Sequence, residues 1–174
     1  VLPEPGFHDA LRRLTRAAGT LLLIDETHTI STGPGGYTRK HGLEPDLFVL
    51  GKPVAGGVPA SIWGLSEEVA TRYAAYNRVK EPGYSGMGTT LSANPLQFAT
   101  MRAALEEVMI AENYDRMDHL ARRLDAGLTG VIDRYRLPWH VARVGARVEF
   151  ICAPGPLRNG AEADQEKSRQ SGVV

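Results

Sequence analysis

Two short apolar runs without alternation constrain this chain more than any other feature. Leu21-Leu22-Leu23-Ile24 ends at Asp25, and Leu47-Phe48-Val49-Leu50 ends, after Gly51, at Lys52. Runs of this kind read as strands buried on both faces, as in a parallel sheet covered by helices. Ahead of the first run, Phe7, Leu11, Leu14 and Ala18 recur at spacings of three and four, which predicts a helix. Gly19 is placed to end that helix in a left-handed cap. Helix, glycine and strand in that order make an α/β unit, and α/β is the fold class expected here.

The 174-residue length is enough for a domain with a core of its own. Formal net charge is zero, so no overall field draws the chain to nucleic acid or to an anionic membrane. No run approaches the roughly 20 apolar residues of a membrane span. Cys152 is the single cysteine, so no intrachain disulfide can form and an oxidising compartment is not implied. The expected location is cytoplasmic.

Between the two runs, residues 26 to 45 show no usable period, with Gly33-Pro34-Gly35-Gly36 at the centre. An irregular connection of this length is uncommon and often functional. After Lys52 comes another Gly- and Pro-rich loop, then a short strand candidate at Ser61–Gly64. Ser66 is a candidate N-cap with Glu67 and Glu68 in the following turn. Asn94-Pro95 is a second cap pair. A long helix is expected from about Asn113 to Tyr135, with Tyr114, Met117, Leu120, Leu124, Leu128, Val131 and Tyr135 as its stripe. Pro138 ends it. Val141–Cys152 reads as one half-exposed strand, with Val144, Ala146, Val148 and Phe150 on one face. A boundary between two structural regions is placed near Pro138. The polar stretch 159–174 reads as a disordered tail, and both ends suggest a piece of a longer protein.

The chemistry turns on Asp25 and Lys52. At the carboxyl end of a buried strand Asp25 should be partly buried and in need of a partner; alone, it reads equally well as a turn cap. Lys52, between a glycine and a Pro-Gly-Gly loop, has reason to act as an amine nucleophile; alone, it reads better as a lysine reaching solvent. Together they change the odds. Two parallel strands leave by the same sheet edge, and neighbouring strands lie about 5 Å apart. A carboxylate and an aldehyde-accepting lysine on one edge suit pyridoxal phosphate: the lysine holds the aldehyde as a Schiff base and the carboxylate keeps the ring nitrogen protonated. His8, His41, His119 and His140 share no metal-ligand spacing with one another or with Cys152, and no metal is expected. There is no GxSxG, and the GPGG of the loop is not a GxGxxG.

The string LLLIDETHTISTGPGGYTRKHGLEPDLFVLGKPVAGGVPASIWG resembles the class-III aminotransferases of the fold-type I pyridoxal-phosphate enzymes. Apolar strand, Asp-Glu, Gly-rich loop, Pro-Asp, strand and Gly-Lys follow in the family's order, and GTTLSANP resembles its Gly-Thr turn before a helix. The match is close over Leu21 to about Leu105 and looser elsewhere. The resemblance implies that residues 1–137 are the lysine-bearing half of a large cofactor-binding domain, and that 138–174 begin a small C-terminal α+β domain. It implies that Lys52 is the catalytic Schiff-base lysine and proton carrier, and that Asp25 pairs with the pyridine nitrogen. Thr27 falls where the family packs a small side chain on the ring. His28 stands where many members have a glutamine bonded to the ring hydroxyl. Thr90 matches a threonine that binds cofactor phosphate from the neighbouring subunit, and Thr89, where glycine is usual in some members, could share that contact. The family's phosphate-cradling loop and ring-stacking aromatic are not found in the chain.

The implied activity is transfer of an amino group from an amine or amino acid to a carbonyl acceptor, in a homodimer with shared active sites. The Leu91–Pro95 turn also fits a glutamate-1-semialdehyde 2,1-aminomutase. A third reading, from another class, is a non-catalytic α/β module in which Asp25 and Lys52 form a structural ion pair.

Overall fold

The fold was obtained as a computed structural model, which describes all residues except 81, 82, 84, 85, 89 and 172–174, and no side chain at 168, 170 or 171. Helix α1 spans Phe7–Ala17, and Gly19 follows it at φ 65°, the left-handed end the sequence predicts. Strands β1 (Leu23–Asp25), β2 (Leu47–Leu50) and β3 (Ile62–Leu65) form one sheet in that order. β1 and β2 are parallel, with Asp25 opposite Val49. β3 is antiparallel to β2, so the sheet is mixed rather than wholly parallel.

Among the described residues β1 pairs with β2 alone, and in this chain Leu21 and Leu23 are 48% and 51% exposed, while Leu50 on the central strand is 3% exposed. The core gathers beneath the end of β2, where Ile30, Leu50, Val54, Ala55 and Met101 pack together with Phe48 and Ile62 at the margin. It therefore includes the turn that follows Lys52 and seats that turn on the sheet.

The connection 26–45 is not irregular. It contains a 3-10 turn at Thr29–Thr32 and a short helix, α2, at Gly36–Lys40. Gly35 and Gly36 enter that helix at φ 80° and 70°, a conformation open to glycine and strained for other residues. Local composition hid the helix, because what holds it is a distant carboxylate described below.

Helix α3 (Glu67–Arg78) starts where predicted, with the Ser66 side chain accepting from the Val69 N–H at 3.3 Å. In α4 (Pro95–Ala103) the Asn94 Oδ1 accepts from the Gln97 N–H at 3.0 Å. A π-helical turn at Ala104–Val108 leads to α5 (Ala111–Tyr135). The predicted stripe of α5 is only partly its buried face: Tyr114, Ala121 and Ile132 are buried, whereas Met117, Leu120, Leu124, Val131 and Tyr135 are exposed. The inward seam also carries Asp118 and Asp125, both of which pair with Arg143.

Val141–Cys152 is a hairpin, not one strand. β4 (His140–Val144) and β5 (Arg147–Ile151) are antiparallel and form a separate sheet. The chain reverses at Gly145, with φ 57°. A Cβ there would lie 2.4 Å from the Thr32 Cα, so the hairpin tip rests directly on the turn after β1. Helix α6 (Gly160–Ser171) occupies most of the stretch read as disordered. Its start is reciprocally capped, Asn159 Oδ1 accepting from the Glu162 N–H and the Glu162 carboxylate accepting from the Arg158 N–H. An Asn with Glu three residues on is a capping pattern present in the sequence.

Candidate functional site

Parallel pairing delivers Asp25 and Lys52 to the same sheet edge. Asp25 is the last residue of β1, and Lys52 stands two residues beyond the end of β2. Both are exposed in this chain, although the sequence places Asp25 partly in the interior. Thr27 links the two strand ends. Its N–H donates to Asp25 Oδ1 at 2.8 Å, and its hydroxyl accepts from the Gly51 N–H at 3.2 Å. The Thr27 hydroxyl and then its N–H, with lesser help from Lys52 and His28, hold the Asp25 carboxyl below the usual carboxylate range. Asp25 is therefore an anion at neutral pH.

Lys52 has φ 46°, a left-handed conformation uncommon outside glycine and found where surrounding structure imposes it. The imposition comes from the Pro53-Val54-Ala55 turn, whose Val54 and Ala55 are buried in the core. The Lys52 amine does not pair with Asp25: the two form no ion pair within 4.0 Å. Its partner is His28, with 2.7 Å between Nζ and Nε2. His28 is set by its neighbours, since its carbonyl accepts from the Ser31 hydroxyl at 3.1 Å and the Ile30 N–H returns to the Glu26 carbonyl at 2.9 Å.

Glu26, which the sequence offers as a structural residue or a holder of the loop and to which it assigns no chemistry, does hold the loop. Its side chain is fully buried, at 0% exposure. The carboxylate accepts from the Thr29 hydroxyl and from the N–H groups of Tyr37 and Thr38 at the start of α2. A Cβ on Gly36 would approach it to 2.8 Å. Glu26 thus folds the Gly-rich loop back against the end of β1. The available signal was a charged residue directly after an apolar strand and nine residues before the Gly35-Gly36 pair, but the contact itself is long-range.

Thr90 lies exposed in the turn before α4, and among the described residues no hydrogen bond joins it to Asp25, Thr27, His28 or Lys52. Thr89 falls outside the described residues. The other histidine group, His8 and His41 around Tyr37, is an aromatic cluster: His8 Nε2 is 3.1 Å from the Tyr37 hydroxyl, and the His41 ring stacks on Tyr37 at 4.0 Å. Among the described residues no group of three or more metal-ligating side chains converges, and no helix is long and apolar enough to cross a membrane.

The sequence model of the class-III aminotransferase family matches residues 1–173. The chain belongs to that family. Among curated class-III relatives, the glutamate-1-semialdehyde 2,1-aminomutase 2 of Halalkalibacterium halodurans is 36% identical over 164 residues, covering 94% of this chain and 37% of the relative. Among solved structures, a glutamate-1-semialdehyde aminomutase from Pseudomonas aeruginosa PAO1 is 49% identical, with a TM-score of 0.90 over 95% of this chain and 38% of that one. A further structure from that organism is in complex with PMP. An omega-transaminase from Sphaerobacter thermophilus is 29% identical, with a TM-score of 0.78 over 95% of this chain and 36% of that one. This class-III chain therefore spans little more than a third of the relatives it matches, and its fold is part of the fold-type I architecture of pyridoxal-phosphate aminotransferases.

Proposed function

We propose that the chain is the lysine-bearing part of a pyridoxal-phosphate-dependent transaminase that moves an amino group from an amine or amino acid to a carbonyl acceptor. The observation that carries this reading is the β1–β2 edge, where Asp25 is held as an anion and Lys52 stands on the same side, tied together through Thr27 and Gly51. The lack of an Asp25–Lys52 ion pair weighs against a merely structural role for the two charges.

The donor set fits the cofactor. Pyridoxal phosphate, when bound, supplies an aldehyde that an amine can hold and a ring that withdraws electrons from the substrate carbon. Asp25, ionised at neutral pH, would hold the ring nitrogen in its protonated form. Lys52 Nζ would hold the aldehyde and carry protons to and from the substrate carbon, with His28 beside it. Thr27 fixes the Asp25 carboxylate and so fixes the orientation of its partner. Thr90, with Thr89 next to it, would meet the phosphate of the neighbouring subunit in a homodimer. The apolar exposure beside that turn, Leu91 at 75% and Leu96 at 63%, supports burial there by a second subunit. Residues 1–137 are assigned to the large domain and 138–174 to the start of the small one, and the protein to the cytoplasm.

A second reading, the glutamate-1-semialdehyde 2,1-aminomutase reaction, is favoured by the relatives of that name at 36% and 49% identity. To test the first, the full-length protein is loaded with cofactor and titrated with amino donors while its visible spectrum is followed. The expected result is loss of the cofactor band with donor and its return with a carbonyl acceptor. A spectrum that no donor alters contradicts the transaminase reading. Formation of 5-aminolevulinate from the semialdehyde, with no exchange of external donor and acceptor, would favour the second.

A further inference from the structure

We infer that His28 is a catalytic residue that exchanges a proton directly with the Lys52 amine, a role beyond holding the cofactor ring. The inference rests on the reading of Lys52 as the cofactor lysine.

The contact itself is 2.7 Å between Lys52 Nζ and His28 Nε2. Such a bond requires one nitrogen to donate and the other to offer a lone pair. An Nζ–H can donate to an Nε2 that offers its lone pair when the imidazole carries its hydrogen on Nδ1. The reacting lysine has to present a lone pair at one stage and a proton at another. When the lone pair is needed, an Nζ–H bond breaks, the proton joins Nε2, and a neutral amine faces an imidazolium. The return transfer restores the ammonium and the neutral ring. No other reactant enters, and charge is conserved within the pair.

Both partners are held for this contact. The positive φ of Lys52 is set by the buried turn behind it. His28 leads the 3-10 turn Thr29–Thr32, tied back by Ser31 and by the Ile30–Glu26 bond. The charged group facing the pair from β1 is Asp25, whose carboxylate is occupied by Thr27. It lowers the cost of a positive charge shared between the two nitrogens without competing for the amine. A glutamine at this position, which the family resemblance implies for many members, could accept a hydrogen bond but could not take up the proton.

The test uses the full-length protein stripped of cofactor, with His28→Gln and His28→Ala beside the parent. Trace acetic anhydride labels the lysines from pH 6 to 9, and mass spectrometry gives the Lys52 to Lys40 labelling ratio, exposed Lys40 serving as internal reference for folding and reagent. The expected parent ratio rises across this range, because a neutral imidazole accepts the amine proton and a protonated one does not. His28→Gln and His28→Ala should both lower it by about tenfold at pH 7.5 and remove that rise, a modest share of what general-base assistance contributes in a complete site. An unchanged ratio in His28→Gln overturns the inference. A fall in His28→Ala alone does so too, since it shows a contact that positions without exchanging a proton. In parallel, borohydride reduction of the cofactor-loaded parent and His28→Gln proteins maps the modified lysine. Modification of Lys52 in both, with equal labelling ratios, removes only the role of His28. Modification of a different lysine removes the reading beneath it.

Discussion

Two sets of charged residues sit within a few positions of each other and are treated in opposite ways. Glu26 and Asp46 flank the loop between β1 and β2 and are buried, at 0% and 6% exposure. Each is saturated with donors: Glu26 holds the start of α2, and Asp46 takes a two-pronged bond from Arg12 at 2.6 and 2.8 Å plus the Leu22 N–H at 2.7 Å. Asp25, His28 and Lys52 gather at and just beyond the ends of β1 and β2 and are exposed in this chain, with contacts chiefly to one another and to Thr27. The buried acids close the loop and brace α1 against it. The exposed groups keep bonding capacity free for a ligand. Saturation with internal donors marks the framework here, so two acids adjacent in sequence, Asp25 and Glu26, differ in how much bonding capacity they keep.

Substitutions can break that division or sharpen it. Lys52→Ala should lower transamination by the full-length enzyme by about 10³-fold or more with little change in its urea midpoint; a shifted midpoint with activity retained would move Lys52 into the framework. Glu26→Ala should do the reverse first. It leaves the Tyr37 and Thr38 N–H groups and the Thr29 hydroxyl without their acceptor, at about 3 kcal/mol together, read from urea unfolding and from faster hydrogen exchange at residues 37 and 38.

Asp46 gives a pH signature. The Arg12 bond and the Leu22 N–H hold its carboxyl at about 2, below the ordinary 3.8. A depressed acid stabilises the fold above its unfolded value and loses that contribution as pH falls through the folded one. Asp46→Asn should therefore cost about 2 kcal/mol at pH 7, and the difference from the parent should shrink as pH drops from 4 towards 2. A constant difference over that range would take the ionised pair out of the account. The smallest effect is expected from His28→Gln, which on an exposed side chain should shift stability by no more than about 0.5 kcal/mol; a larger loss would place His28 with the framework.

What could be read from the chain follows the range of the forces involved. The ends of β1 and β2, the Gly19 cap and the Ser66 and Asn94 caps were legible because each depends on a few adjacent residues. The parallel edge joining Asp25 to Lys52 was legible because two short strands with charged ends leave little choice of direction. The helix at Gly36–Lys40 was not, since its support is Glu26 at the far side of the loop. The reversal at Gly145 was hidden by apolar residues that continue the strand pattern through it. On α5 the larger apolar residues suggest one face, of which Tyr114 is buried in this chain, and the Arg143 bridges to Asp118 and Asp125 depend on a hairpin that spacing does not locate. The resemblance implies His28 as a ring partner, and its approach to Lys52 does not follow from spacing, because side-chain geometry across two strand ends sets it.

The central claim is that Lys52 is the residue that holds pyridoxal phosphate. Full-length protein loaded with the cofactor, reduced with borohydride and digested, should yield a pyridoxyl group on the peptide containing Lys52 and on no other. A pyridoxyl group on Lys40 or Lys80 instead, or none on any lysine of the loaded protein, would contradict it.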